Sequence, residues 1–208
     1  MMTKIALNFR YKGDRQYIHG TDMFNQCFKV LKEQTQGEIG NLEFAIHKMT
    51  DSNLSMMLYQ KQQAPEVDYR DIAIFKFSSC GLLWQANLIN ADTKPADRYS
   101  YDEASIIELC EIDETARYIF LNGGETPYSE IETLVSMTKA LHLKLFPQLQ
   151  GSWVFCRWES PRWPLGSGSM RSVSIRLMQA VGTRLTKSEV SLEGEVLGHI
   201  YFSARNSQ

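Results

Sequence analysis

One order of elements occurs twice along this chain: a stripe of apolar residues at helical spacing, followed by four strand-like runs. In the first copy Phe24, Cys27, Phe28 and Leu31 fall at i, i+3, i+4 and i+7, which puts them on one helical face. The spacing predicts a helix over residues 22–34, ended by Gly37 and Gly40. Residues 42–48, 54–59, 72–78 and 82–89 then alternate or run apolar, as strands do. In the second copy residues 116–121 predict a leading strand, Thr126 a helix N-cap and Pro127 the first helical position. Ile131, Leu134, Val135, Thr138, Leu141, His142 and Leu145 mark one face of this second helix, and Pro147 stops it. Residues 153–158, 173–181, 186–192 and 196–204 read as the four strands that follow, with Gly182 and Gly194 at turns.

The expected class is therefore α+β with antiparallel strands. A first unit spans residues 1–95, a linker 96–115 and a second unit 116–208, the two forming one globule. Within the linker, residues 101–109 read either as a short acidic helix or as extended chain. With 208 residues, 43% of them apolar, the chain can bury a core without metals or disulfides. Cys27, Cys80, Cys110 and Cys156 are far apart, form no C-x-x-C pair, and read as reduced core thiols. The 22 basic and 24 acidic side chains give a formal charge of -2, with none of the basic excess of a nucleic-acid or anionic-membrane surface. The N-terminal residues turn polar too soon for a signal peptide, and no run approaches the roughly 18 apolar residues of a membrane span. The expected address is the cytoplasm.

A long helix laid across an antiparallel sheet, led by a short strand and followed by four more, resembles the hotdog fold; two in tandem resemble a double hotdog. The resemblance implies action on acyl thioesters, with acyl-CoA or an acyl carrier protein as partner. Before the first helix, Gly13-Asp14 followed by His19 is similar to the Gly-Asp and His of MaoC-like hydratases, with Gln16-Tyr17 standing where that motif has Asn-Pro. Hydrating a double bond conjugated to a thioester needs one group to activate water and another to handle the proton on the adjacent carbon. The resemblance gives Asp14 the role of base and His19 that of its partner. Gly20, at the mouth of the helix, offers its amide to the enolate-like oxygen.

The same scaffold also implies a thioesterase, in which Asp22 or a glutamate of the second helix, Glu130 or Glu132, activates water. The plainer readings stand beside these: Gly13-Asp14 as a polar turn, Asp22 as an N-cap, Glu130 and Glu132 as first-turn acids favoured by the helix dipole. Trp153, Trp158, Trp163 and Phe155 would line an acyl tunnel, and Arg157, Arg162 and Arg171 would meet carrier phosphates, or the same run is a core strand and a solvated loop. His142 reads as a satisfied core or boundary histidine. His47 and His199 lack ligand spacing, so no metal and no cofactor are expected. Residues 166–169, Gly-Ser-Gly-Ser, lack the frame of a phosphate loop or nucleophile elbow. Three functions stay open: hydratase or dehydratase, thioesterase, and a non-catalytic acyl- or partner-binding protein, in each case with homodimerisation as an option.

Overall fold

The computed structural model describes residues 2–35, 37–63, 71–122, 126–163, 172–182 and 184–206. The chain divides into two compact units, Met1–Tyr101 and Asp102–Gln208. In the first unit β1 (Thr3–Leu7) and β2 (Tyr11–Lys12) precede α1 (Gly20–Thr35). Then come β3 (Ile39–Ile46), β4 (Leu54–Gln60), a 3-10 turn (Lys61–Gln63), β5 (Ala73–Ser79), β6 (Leu82–Asn90) and β7 (Arg98–Tyr99). Five strands form an antiparallel sheet in the order β1-β4-β6-β5-β3, and β2 pairs with β7 in parallel.

The helical stripe of α1 lands where its spacing requires. Phe44, Phe75, Ala86 and Leu58 are cross-strand neighbours on β3, β5, β6 and β4. Phe24 sits on this row, 5.5 Å from the Phe44 ring and 5.6 Å from Phe75, with Met23, Cys27 and Leu31 buried beside it. The helix starts two residues before the predicted position, because the His19 carbonyl accepts the amides of Asp22 and Met23. Asp22 is therefore a first-turn residue and not the N-cap.

The second unit runs α2 (Ala104–Ile107), β8 (Cys110–Asp113), β9 (Tyr118–Leu121), α3 (Glu130–Leu145), β10 (Gly151–Trp163), β11 (Val173–Val181), β12 (Leu185–Leu192) and β13 (Glu195–Asn206). Residues 101–109 thus contain a short helix, and the expected linker also holds β8, which pairs with β9. The sheet order is β8-β9-β11-β12-β13-β10. The N-cap of α3 is Ser129, not Thr126: its hydroxyl accepts the Glu132 amide and Glu132 returns a bond to the Ser129 amide, a capping box. Thr126 instead bonds Thr133, at 3.0 Å.

The units share an order of elements but not of strands. In the second, turns of a few residues force β11, β12 and β13 to lie side by side. In the first, residues 61–72 separate β4 from β5 and give enough chain for β6 to lie between them. The tight connection there is Cys80-Gly81, both at positive φ (50° and 74°), the geometry a two-residue hairpin prefers. Cys80 is consequently exposed and not a core thiol. Cys27 is buried, while Cys110 and Cys156 are half-buried; all four are free. Among the described residues no helix is long and apolar enough to cross a membrane.

One close approach tests the second sheet. A Cβ at Gly198 of β13 would lie 2.1 Å from the Glu159 carbonyl oxygen of β10, a backbone atom that cannot swing away. Gly198→Ala should therefore cost about 3 kcal/mol, measured by urea unfolding. A loss under about 0.5 kcal/mol, the range of ordinary surface changes, would mean the strands part there freely.

Candidate active site

The polar centre of the first unit gathers at the N-terminus of α1. The chain leaves β2, turns at Gly13 (φ 56°), and returns to start the helix at Gly20. Gly13 donates its amide to the Tyr99 carbonyl, and the Arg98 guanidinium donates to the Gly13 carbonyl, so β7 holds the turn in place. This brings Lys12 beneath the first helical turn. Its side chain is fully buried, and its ammonium donates to Thr21 Oγ1 at 2.9 Å and Asp22 Oδ1 at 3.2 Å. Tyr101 offers its ring face to the same ammonium, 4.1 Å from the centroid. Tyr99 donates its hydroxyl to Asp22 Oδ1 at 2.7 Å.

His19 joins this cluster through Thr21, with 2.8 Å between His19 Nδ1 and Thr21 Oγ1; Thr21 Oγ1 lies 3.5 Å from Asp22 Oδ1. With the proton on Nδ1, the threonine accepts from His19 and donates to Asp22. That relay leaves the imidazole lone pair on Nε2 and couples any charge gained there to a carboxylate. Asp14 is not part of it: exposed on the turn, it makes no hydrogen bond or ion pair with a described residue. The acid that reaches His19 is Asp22.

Cations and rings surround the cluster. Arg10 lies over Tyr99 (5.0 Å), Arg98 over Tyr11 (5.8 Å) and Arg15 over Tyr101 (5.8 Å). Among the described residues neither Arg10 nor Arg98 has a carboxylate partner, and both guanidinium groups are exposed.

The second unit spreads the other sequence candidates apart. Glu130 opens α3, half-buried, and Glu132 is held in the capping box. Trp153 is buried in the core, its ring 4.7 Å from His142 and 5.3 Å from Phe146. Arg157 pairs with Glu159 on the sheet and lies over Tyr201 at 5.5 Å. Arg162 is exposed, and its backbone meets the Ser160 hydroxyl. Arg171 and the run 166–169 lie outside the described residues. Among the described residues no group of three or more His, Cys, Asp or Glu side chains is placed to hold a metal ion. Lys12, Thr21 and Tyr99 went unread in the sequence; the one signal was Arg98-Tyr99-Ser100-Tyr101, whose alternating rings mark extended chain.

No protein-family model matches the chain. No curated protein matches it in sequence. Solved structures do match in shape. The tesB protein of Mycobacterium avium subs paratuberculosis superposes with a TM-score of 0.53 at 10% identity, over 97% of this chain and 93% of that one. A candidate thioesterase of Novosphingobium aromaticivorans gives 0.51 at 11% identity, over 100% and 96%. The dehydratase domain of PpsC from Mycobacterium tuberculosis, solved in complex with C12:1-CoA, gives 0.48 at 12% identity, over 98% and 93%. The first two likenesses run nearly end to end and agree with antiparallel sheets that each carry one long helix; the fold of this chain is the hotdog fold.

Proposed function

We propose that this protein is an acyl-thioester hydrolase with His19 as its base, its two units serving as the halves of a double hotdog. The observation that carries the reading is the His19–Thr21–Asp22 relay at the N-terminus of α1. Hydration of an enoyl thioester asks for two proton-handling groups facing the substrate. Here Asp22 is engaged by Lys12 and Tyr99 and Asp14 stands outside the cluster, so among the described residues of the cluster His19 is the group suited to carry a proton. Hydrolysis needs no more than that. A thiol is acidic enough, with a pKa of about 8.5, to leave as thiolate without being protonated first.

In the reaction, His19 Nε2 takes a proton from water, and the resulting hydroxide attacks the thioester carbonyl carbon. Gly20, whose amide precedes the intrahelical ladder, donates to the oxyanion. The tetrahedral intermediate collapses by breaking the C–S bond, and the thiolate takes the proton from His19. The carboxylic acid loses its own proton to solvent. Asp22, through Thr21, keeps the imidazole oriented. The exposed Arg10 and Arg98 suit the phosphates of coenzyme A or of a carrier protein's pantetheine arm. The candidate thioesterase of Novosphingobium aromaticivorans, alike over the whole chain, supports the same reaction.

The test is an assay of saturated and 2-unsaturated acyl-CoA substrates that follows free thiol and double-bond absorbance together. Thiol release is expected, falling about 100-fold in His19→Ala and by less in Asp22→Asn, with folding intact by circular dichroism. Loss of the double bond without thiol would make the protein a hydratase. Saturable binding without either signal would make it a non-catalytic acyl binder.

A further inference from the structure

The second unit has a cleft between α2 and α3 with a volume of about 650 Å³. Its walls are Ile107 of α2, Ile112 of β8, and Ala140, Leu143 and Pro147 on or just beyond α3. The size falls in the range of about 300–1,000 Å³ common to small-molecule sites. A salt bridge of 2.7 Å from Lys139 to Glu103, both of which line the cleft, ties α3 to the residue before α2. Leu143 is 56% exposed at the rim, a large apolar side chain left in water beside an apolar wall. Lys144 also lines the cleft, exposed and with no carboxylate partner among the described residues.

We infer that this cleft binds an aliphatic chain with a carboxylate head, the chain lying against Ile107, Ala140 and Leu143 and the head meeting Lys144. The exposed walls are mainly apolar, with Glu103, Ser136, Lys139 and Lys144 as the polar residues, which favours an aliphatic chain over a sugar or a nucleotide. The one cation not already neutralised favours an anionic head over a neutral or cationic one. The salt bridge neutralises Lys139, so the head is drawn to the Lys144 side. Such a carboxylate is also what thioester hydrolysis would release, but the cleft's chemistry stands whether or not the α1 cluster is catalytic.

The experiment is isothermal titration of the full chain with dodecanoate and, separately, with dodecanol, both below their micelle concentrations. Dodecanoate should saturate at one site per chain. Lys144→Gln should weaken it about three- to fivefold while leaving dodecanol unchanged. Leu143→Asp, an exposed position that folding tolerates, should weaken both ligands at least about tenfold. Neither Lys144 nor Leu143 belongs to the α1 cluster, so their effect on binding separates this cleft from the catalytic reading. No saturable binding of dodecanoate, or binding indifferent to both cleft variants, overturns the inference. A parent that is dimeric by size exclusion, becomes monomeric in Leu143→Asp and ignores dodecanoate overturns it in favour of a second copy of the chain as the occupant.

Discussion

Lys12→Met should lower the stability of the first unit by about 3–5 kcal/mol, because it removes one member of a buried ion pair and leaves the other. The lysine side chain is fully buried and that of Asp22 is 13% exposed, so water replaces the lost partner poorly. The ammonium also donates to Thr21 and lies on the Tyr101 ring, and methionine restores only the aliphatic stem of those contacts. Asp22 would keep the Tyr99 hydroxyl, at 2.7 Å, and the Thr21 hydroxyl, at 3.5 Å, as donors to its charge. Adding Asp22→Asn should recover at least about half of the loss: the amide oxygen still accepts from Tyr99, and no buried charge remains. Urea unfolding of the two single variants and the double variant measures this directly. A double variant as unstable as Lys12→Met would show that the ammonium matters through Thr21 and Tyr101 and not through Asp22. Raising the salt concentration should change the parent little, since screening acts weakly on a pair shut away from solvent.

The cluster also shows where sequence reasoning stopped. Helices and most strands were legible because their signals are local: the Phe24–Leu31 stripe of α1, the alternation in β4 to β6, the Gly turns of β11 to β13. The capping box of α3, Ser129-Glu130-Ile131-Glu132, is equally local, but Thr126-Pro127 three residues earlier offers a competing start signal of the same kind. Strand order was not legible. Whether β5 lies beside β4 or across β6 depends on how residues 61–72 travel, and no pattern in the strands themselves encodes that route. His19 and Asp22 were both named from the helix start, but their connection was not, since Thr21 reads as an ordinary helix-opening residue. Tyr99 reaches Asp22 across 77 positions of chain, and that meeting follows from the β2–β7 pairing, two residues long on each side.

His142 should make the second unit acid-sensitive. Its place in the α3 stripe predicts a satisfied core or boundary histidine. It is fully buried, ringed by Trp153 at 4.7 Å, Phe202 at 5.2 Å and Phe146 at 6.0 Å, and neither ring nitrogen has a hydrogen-bond partner among the described residues. Burial alone pushes its pKa down from 6.5 to about 3, because the imidazolium would sit among apolar rings. The unfolded chain therefore takes up the proton first as pH falls. The stability that neutral His142 contributes is intact above about pH 6.5 and drains away between there and about pH 3. Each pH unit across that window removes about 1.4 kcal/mol, so the loss is about 2 kcal/mol at pH 5 and approaches 5 kcal/mol at the bottom. His142→Leu removes the titration while keeping an apolar side chain of similar size. Comparing each protein at pH 8 with itself at pH 5 cancels whatever the substitution does to packing. The parent should lose about 2 kcal/mol more than the variant over that interval, by urea unfolding. His199, whose pKa burial and Lys187 also hold down, titrates in both proteins and drops out of the comparison. Equal losses would mean that water or a shifted ring solvates the His142 imidazolium in the folded state, and that the aromatic cage opens with protonation instead of resisting it.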